Sequence, residues 1–432
     1  MIPCIGSRPL RIIDILADMT DPNTRVTIVG INYWPEPTGN APYTSGLAEG
    51  LAAIGRQVHV VTAFPHYPAW RISPGYNGLR IVEMISGVVV RRSRPYVPSR
   101  PAGVKRLLME LYFGLSSIFT RWNGPDTLIL VSPALFAVAI AQVRARFFHP
   151  RVPVIVWVQD IYTRGVQETG VTGSSGTSIV KRIESAVLRR ADTVVVIHDR
   201  FRRYLVESLE VDDSKIEVVR NWTHISPGTP DRAAFRETFG WGDEVVVLHA
   251  GNMGAKQSLE NVVEAARLAD GNGSQIRFVL LGDGNQRHRL QYLARDVVKL
   301  DFLDSLDDES FQGAMAAADI LLVNEKAGLS EMAVPSKLTS YFASGRPVIA
   351  VTDEGSITAE EIAAASAGVR VDTDDPAALV REALALGGDS ARGEALGANG
   401  KVFQELVLSK NAAISQYAEI ITRLASKKPL SK

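Results

Sequence analysis

The residues of this chain that could do chemistry stand just past the ends of short apolar runs. Gly251-Asn-Met-Gly-Ala-Lys256 follows the run at 244–249 and sets a lysine behind a glycine-rich turn, within reach of a phosphate. Ser336-Lys337 follows the run at 319–323, after a loop opened by Gly328. Pro335 suits the first turn of a helix, where its missing N–H is not needed. Ser336 and Lys337 therefore fall at a helix N-terminus, where free N–H groups, the macrodipole and an ammonium make an anion site. Gly282-Asp-Gly284 ends the run at 276–281, and bare backbone there leaves room for a flat base. Gly39-Asn40 follows the run at 25–31, and Asp160 follows the run at 154–158. Each has a plainer reading on its own: tight turns for the glycines, a solvated side chain for either lysine, a helix N-cap for Asp160. Their shared position is what singles them out.

That position is set by an alternation of strands and helices. Residues 25–31 read as a buried strand, 32–40 as a Pro- and Gly-rich loop, and Leu47, Leu51 and Ile54 as a helix ending at Gly55. The strand at 57–62 then completes a βαβ unit. One or two strands around Gly87, a long helix over 102–122, strands at 127–131 and 154–158, a helix at 178–190 and strands at 193–197 and 216–219 continue the series. A second series has strands at 244–249, 276–281, 298–302, 319–323, 348–351 and 369–371. One of its helices carries Leu338, Tyr341 and Phe342 on one apolar face and stops at Gly345.

Strands too apolar to have a wet face mean parallel sheets covered on both sides. The expected fold is α/β, with two Rossmann-like domains facing across a cleft. A leader at 1–24 precedes a first domain at 25–225, a second at 226–405 and a final helical segment at 406–432, with Pro227-Gly-Thr-Pro230 breaking the chain between the domains. In such sheets ligands bind at the carboxyl ends of the strands, where strand order switches. The Gly39 loop is not G-x-G-x-x-G and no acid ends the second strand, which disfavours a dinucleotide.

Composition bounds the rest. The 432 residues carry 47 Lys+Arg against 47 Asp+Glu, so overall charge gives no argument for nucleic acid. Cys4 is the single cysteine, which rules out an internal disulfide or a cysteine metal cluster and fits a reducing compartment. The first residues lack the charged start and apolar core of a secretory signal, and the most apolar window, ~14 residues from Leu128, is short of the about 20 needed to span a bilayer. His59 and His249 sit within strands and read as core, and Asp372-Thr-Asp374 reads as a turn with a helix cap at Asp374 or Asp375 rather than a metal site.

One stretch is locally biased. Arg80, Arg91, Arg92, Arg94, Arg100, Lys105 and Arg106 face only Glu83, and Leu107, Leu108, Leu111, Tyr112, Phe113, Leu115, Ile118 and Phe119 follow. A basic flank before an apolar helix fits docking on an anionic membrane surface through about 80–120. A solvated basic edge with a core helix is the alternative.

Six stretches carry a resemblance: Asn32-Tyr-Trp-Pro-Glu-Pro-Thr-Gly-Asn40, Thr62-Ala-Phe-Pro-His-Tyr-Pro68, Val158-Gln-Asp-Ile161, Val219-Arg-Asn-Trp222, His249-Ala-Gly-Asn-Met-Gly-Ala-Lys-Gln257 and Val334-Pro-Ser-Lys-Leu338. From about Val26 to Leu424 the chain resembles the retaining GT-B glycosyltransferases of family 4, in the colanic-acid-type WcaI/WbuB-like branch. The resemblance implies a nucleotide-sugar donor on the C-terminal domain, an acceptor on the N-terminal domain, a final helix that packs back on the first domain, and no essential metal or other cofactor. Lys256 and Lys337 would neutralise the leaving diphosphate, helped by the amides of Ser336 and Lys337. The Gly39-Asn40 amides would contact the donor phosphate, and Asp160 would lie near the sugar or the acceptor hydroxyl.

Asn252, Gly282, Gly284, Glu331 and Ser340 complete the expected donor contacts. The family's Glu-x7-Glu pair falls here at Met332 and Ser340, with Glu331 one residue away, and Asn252 stands near the family's arginine. The expected activity is sugar transfer from UDP- or GDP-sugar to a polyprenyl-linked saccharide, in the cytoplasm at the inner face of the plasma membrane, for surface or exopolysaccharide. The alternatives are a nucleotide-sugar epimerase or hydrolase, and a non-catalytic nucleotide-binding subunit.

Overall fold

Thr127–Ser132, sequence TLILVS, is buried at every position, and strands of this kind need cover on both faces. The computed structural model describes residues 24–37, 39–98, 103–164, 174–222, 230–328 and 336–426. The chain divides into two units, Met1–Trp222 with Lys410–Lys432, and Thr223–Ser409. The chain thus returns to the first unit at Lys410 rather than 406, and residues 1–23 of the expected leader fall outside the described residues.

In the first unit eight strands are ordered β3-β4-β2-β1-β5-β6-β7-β8. They are β1 (Arg25–Val29), β2 (Gln57–Ala63), β3 (Arg80–Ile85), β4 (Val88–Ser93), β5 (Thr127–Ser132), β6 (Val154–Val158), β7 (Thr193–Val196) and β8 (Ile216–Val218). All pairs are parallel except β3 with β4. That hairpin turns at Ser86 and Gly87, with φ of 48° and 79°, the double positive-φ turn that matches strand twist.

Helix α1 (Ala41–Ala53) packs Leu47 and Leu51 into the core of this sheet. The other helices between these strands are α2 (Val104–Ile118), α3 (Leu135–Phe148), α4 (Ser174–Arg190) and α5 (Asp199–Leu209). Gly114 of α2 has no room for a Cβ against Ala137 and Ile140, so α2 and α3 cross closely. The helix expected over 102–122 ends at Ile118, leaving Trp122 buried beneath Arg144, whose guanidinium lies 3.9 Å from its ring centre.

The final helix, α14 (Lys410–Ser426), belongs to this first unit. Its Ile414, Tyr417, Ile420 and Ile421 join the core with Leu47 and Leu51 of α1. Tyr417 sets its ring 5.3 Å from Trp157, edge to face.

The second unit has six parallel strands ordered β11-β10-β9-β12-β13-β14. They are β9 (Val245–Ala250), β10 (Ile276–Leu281), β11 (Leu300–Leu303), β12 (Ile320–Asn324), β13 (Val348–Val351) and β14 (Gly368–Val371). Counted from β9 the order is 3-2-1-4-5-6, the doubly wound pattern with its switch between β9 and β12. Around it lie α6 (Arg232–Thr238), α7 (Glu260–Gly271), α8 (Arg287–Leu293), α9 (Asp308–Ala317), α10 (Ser336–Ser344), α11 (Ile357–Ala365), α12 (Pro376–Gly387) and α13 (Ser390–Leu406). Two apolar layers flank the sheet, one including Val262, Val263 and Leu379, the other Leu338, Tyr341 and Phe342. The strand expected at 298 begins at Leu300, with Val298 exposed. Asp375 caps α12 by accepting from Ala378 N–H at 2.8 Å, which accounts for the acidic turn at 372–374. Among the described residues no His, Cys, Asp and Glu group could hold a metal ion.

Candidate active site

The second sheet's switch point carries the densest chemistry. Tyr341 begins it: its hydroxyl accepts from Ala250 N–H at 2.8 Å and donates to Ala250 O at 3.2 Å, tying α10 to the end of β9. Lys337 lies one turn earlier on the same helix face, because i and i+4 stack. Its side chain runs past Gly251, where a Cβ would sit 3.9 Å from Lys337 Cε and Nζ. Its Nζ lies 3.4 Å from Nε2 of His249. Burial pushes the Lys337 ammonium down to about 8, with Glu325 pulling the other way. His249 is fully buried, and burial first, then the Lys337 charge, hold its ring far below the usual histidine range. A neutral imidazole therefore stands against a lysine ammonium. His249, expected as core, is buried but reaches into the site.

The loops after β9 and β10 run backbone to backbone. Gly251 N–H donates to Leu281 O at 2.9 Å, Met253 N–H to Asp283 O at 2.8 Å, and Gln286 N–H to Met253 O at 3.0 Å. Gly251, Gly282 and Gly284 have φ of 129°, 123° and 159°. A Cβ at Gly282 would strike Gly251 O, and one at Gly284 would strike the backbone of Met253. The side a Cβ would take is filled by the neighbouring loop, so the two glycines allow that close approach. Lys256 sits exposed on a short 3-10 turn, Ala255–Gln257. Asn324, at the end of β12, donates to Gln257 O at 2.8 Å and Ser258 O at 3.1 Å and accepts from Asn261 at 3.0 Å. The turn bearing Lys256 is thus tied to the neighbouring strand end. Asn252 is exposed on the same loop and Ser340 is partly buried in α10. Ser336 opens α10, while Glu331 and Met332 lie outside the described residues.

In the first unit, Glu36 organises the loops after β1 and β2, a role that no sequence pattern marks out. Its buried carboxylate accepts from Asn32 Nδ2 at 2.8 Å, His66 N–H at 2.8 Å and Tyr67 N–H at 2.9 Å. Two of the six resemblance-bearing stretches are thereby joined by one side chain. Gly39 has φ of 67° and lies against Tyr67. Asn40 precedes α1, and its carbonyl accepts from Thr44 N–H at 2.9 Å while its amide makes no cap.

Asp160 is exposed past β6, its Oδ1 accepting from Ile161 N–H at 2.9 Å. Beside it Gln159 and Asn221 exchange amide hydrogen bonds at 3.2 and 2.9 Å, joining the ends of β6 and β8. Glu184 of α4 accepts from Tyr162 N–H at 2.8 Å and Thr163 N–H at 3.0 Å. Glu110 of α2 is buried, bonds Arg106 Nε and Phe136 N–H at 3.3 Å each, and is pushed up to about 7 by that burial. The basic stretch is smaller than its composition suggests. Arg92 is buried and bonds Glu83 at 2.6 Å, and Arg91 is partly buried.

Residues 38–222 match the model of a glycosyl transferase 4-like domain, and residues 244–389 that of the glycosyl transferases group 1. The chain is 31% identical to the putative colanic acid biosynthesis glycosyl transferase WcaI of Escherichia coli K12, over 74% of this chain and 81% of that one. Sucrose-phosphate synthase from Thermosynechococcus elongatus shares the fold at TM-score 0.65 and 19% identity, covering 93% of this chain and 99% of that one. Anabaena HepE in complex with UDP does so at TM-score 0.63 and 14% identity, covering 93% and 100%.

Proposed function

The chain belongs to the glycosyltransferases built from a 4-like and a group 1 domain, and we propose that it is a retaining enzyme of polysaccharide synthesis. It moves a sugar from a UDP- or GDP-sugar, bound on the second unit, to a polyprenyl-linked saccharide taken by the first. The observation that carries this reading is Lys337. A half-buried ammonium at a helix N-terminus, beside Gly251 and at the switch point of a doubly wound sheet, suits a diphosphate. UDP in the HepE structure supports the donor class.

In the reaction the bond from the anomeric carbon to the donor phosphate oxygen breaks, its electron pair staying on the phosphate. The acceptor hydroxyl oxygen bonds that carbon on the same face, and its proton passes to the departing phosphate oxygen. Lys337 and Lys256 stabilise the charge that develops, with the N–H groups at the start of α10. With lysine ammonium groups supplying that charge, the proposed reaction needs no divalent ion. On the first unit, the Gly39 and Asn40 amides offer donors to a phosphate and Asp160 orients the acceptor hydroxyl or sugar. Asn252, Glu331, Ser336 and Ser340 contact ribose, phosphate or sugar.

Docking on an anionic bilayer delivers the lipid-linked acceptor. Its support is a stripe on α2: Leu108, Tyr112 and Leu115 are exposed between Val104 and Phe119, at 71% and 72% exposure. The opposite side of the helix buries Met109 and Phe113, so α2 is apolar on two sides. Lys105 and Arg94 stay exposed nearby, while no helix among the described residues is long and apolar enough to cross a membrane. The test is a transfer assay in EDTA with UDP- and GDP-sugars and polyprenyl-diphosphate saccharides, the product anomer read by NMR. A product of inverted configuration, or turnover without acceptor, contradicts the proposal.

A further inference from the structure

Lys337 needs a partner that orients it without cancelling its charge. A carboxylate in contact would quench the charge meant for a diphosphate. The carboxylate whose charge it feels, Glu325, is engaged elsewhere: it accepts from the Thr352 hydroxyl at 2.5 Å and the Thr358 hydroxyl at 2.6 Å. Among the described residues, the hydrogen-bond partner of Lys337 Nζ is His249 Nε2 at 3.4 Å. The ring's other nitrogen, Nδ1, lies 3.2 Å from Leu322 O, which can only accept. We assign the ring proton to Nδ1, toward the Leu322 carbonyl, with the Asn252 backbone also against the ring; Nε2, facing an ammonium that can only donate, is then the acceptor. Leu322 sits in β12 and His249 in β9, the two strands that flank the switch point. Fixed in a strand interior with no exposed surface, the imidazole cannot follow Lys337; it can only hold it.

We infer that His249 is a positioning residue for the donor site: its neutral imidazole holds the Lys337 ammonium beside Gly251 and leaves the ammonium's charge and remaining N–H groups for the donor diphosphate. This rests on the reading of Lys337 as a phosphate ligand. Such an arrangement prepays orientation, which is where a fixed charge gains most over a mobile one. The groups facing the pair are few: Lys337 toward His249, Glu325 toward Lys337, and the backbones of Leu322 and Asn252 toward the ring.

The test compares UDP and GDP binding by calorimetry from pH 6 to 9.5 for wild type, His249→Met, His249→Gln, Lys337→Met and the double Met variant, each first checked for a single cooperative melt well above the assay temperature. Methionine keeps the volume and removes the acceptor; glutamine keeps an acceptor near the Nε2 position. His249→Met is expected to bind the nucleotide about tenfold more weakly at pH 7, the scale of one hydrogen bond to a charged group. It is also expected to lose affinity at lower pH than wild type as pH rises, because the ammonium has lost its acceptor. His249→Gln restores most of both, and the double variant is no worse than Lys337→Met. If His249→Met binds with wild-type affinity and pH profile, or if the two losses add, the inference is overturned. If Lys337→Met itself leaves binding unchanged, the donor-site reading fails instead, which the same data distinguish.

Discussion

Replacing Lys337 by methionine should make the unliganded protein more stable. In the folded chain the ammonium is pushed from the ordinary 10.5 to about 8. Each pH unit of displacement is worth about 1.4 kcal/mol. At pH 7 the side chain is charged in both states, so holding it charged in the fold costs about 3 kcal/mol. The residue is partly exposed, and its removal leaves His249 Nε2 without a donor, which costs ~1 kcal/mol. A net gain of about 1–2 kcal/mol remains, or roughly 2–8 °C in the melting of a unit this size. The sign fixes the pH window. A base whose folded value is depressed is destabilising at low pH, and that penalty fades as pH rises from about 8 to 10.5. Scanning calorimetry at pH 7 and pH 10 should show the variant melting above wild type at pH 7, with the gap closing at pH 10. A variant that melts at or below wild type at pH 7 would refute the reasoning, because Lys337 would then carry no burial penalty held in reserve for a ligand.

Glu110→Gln should stabilise the first unit at pH 8 by up to about 3 kcal/mol, since a carboxyl pushed up to about 7 favours folding only while protonated. The advantage should shrink as pH falls through 7 and vanish below about 4.5, with Arg106, which is exposed, rehydrating; melting across pH 4.5–8 reads it. A double Leu108→Glu, Leu115→Glu variant should melt within about 0.5 kcal/mol of wild type, because both side chains are exposed. It should no longer sediment with anionic vesicles at low salt, whereas the wild type should. Gly282→Ala should destabilise the second unit by about 2–4 kcal/mol, from a positive φ and a Cβ forced onto Gly251 O; denaturant titration should show the lower midpoint in that unit alone.

Much of the architecture was legible because it is written locally. Apolar runs such as Val154–Val158 can only be interior strands, and glycines at 251, 282 and 284 mark where strands end in close turns. The helix face of Leu338, Tyr341 and Phe342 read correctly as buried from its spacing. What the pattern cannot carry is pairing across the sheet. His249 alternates into the interior like any core residue, and only the neighbouring helix shows that its outer nitrogen meets Lys337. Glu36 lies in a loop whose acid looks solvated, yet it is buried by backbone N–H groups 30 and 31 positions away. Arg92 counted as surface charge because its partner, Glu83, lies across a hairpin whose register the sequence leaves open. The glycines at 282 and 284 suggested open space for a base, but the side a Cβ would take is filled by a loop from a strand 31 residues earlier by register, β9.

The most direct test of the central claim is thermal melting of wild type and Lys337→Ala with UDP, GDP and their sugars, in EDTA. A nucleotide at 100 times its Kd should stabilise the wild type by about 2.7 kcal/mol and stabilise the variant much less. If no nucleotide raises the wild-type melt, or if one raises both proteins equally, the donor site is not at Lys337 and the account is contradicted.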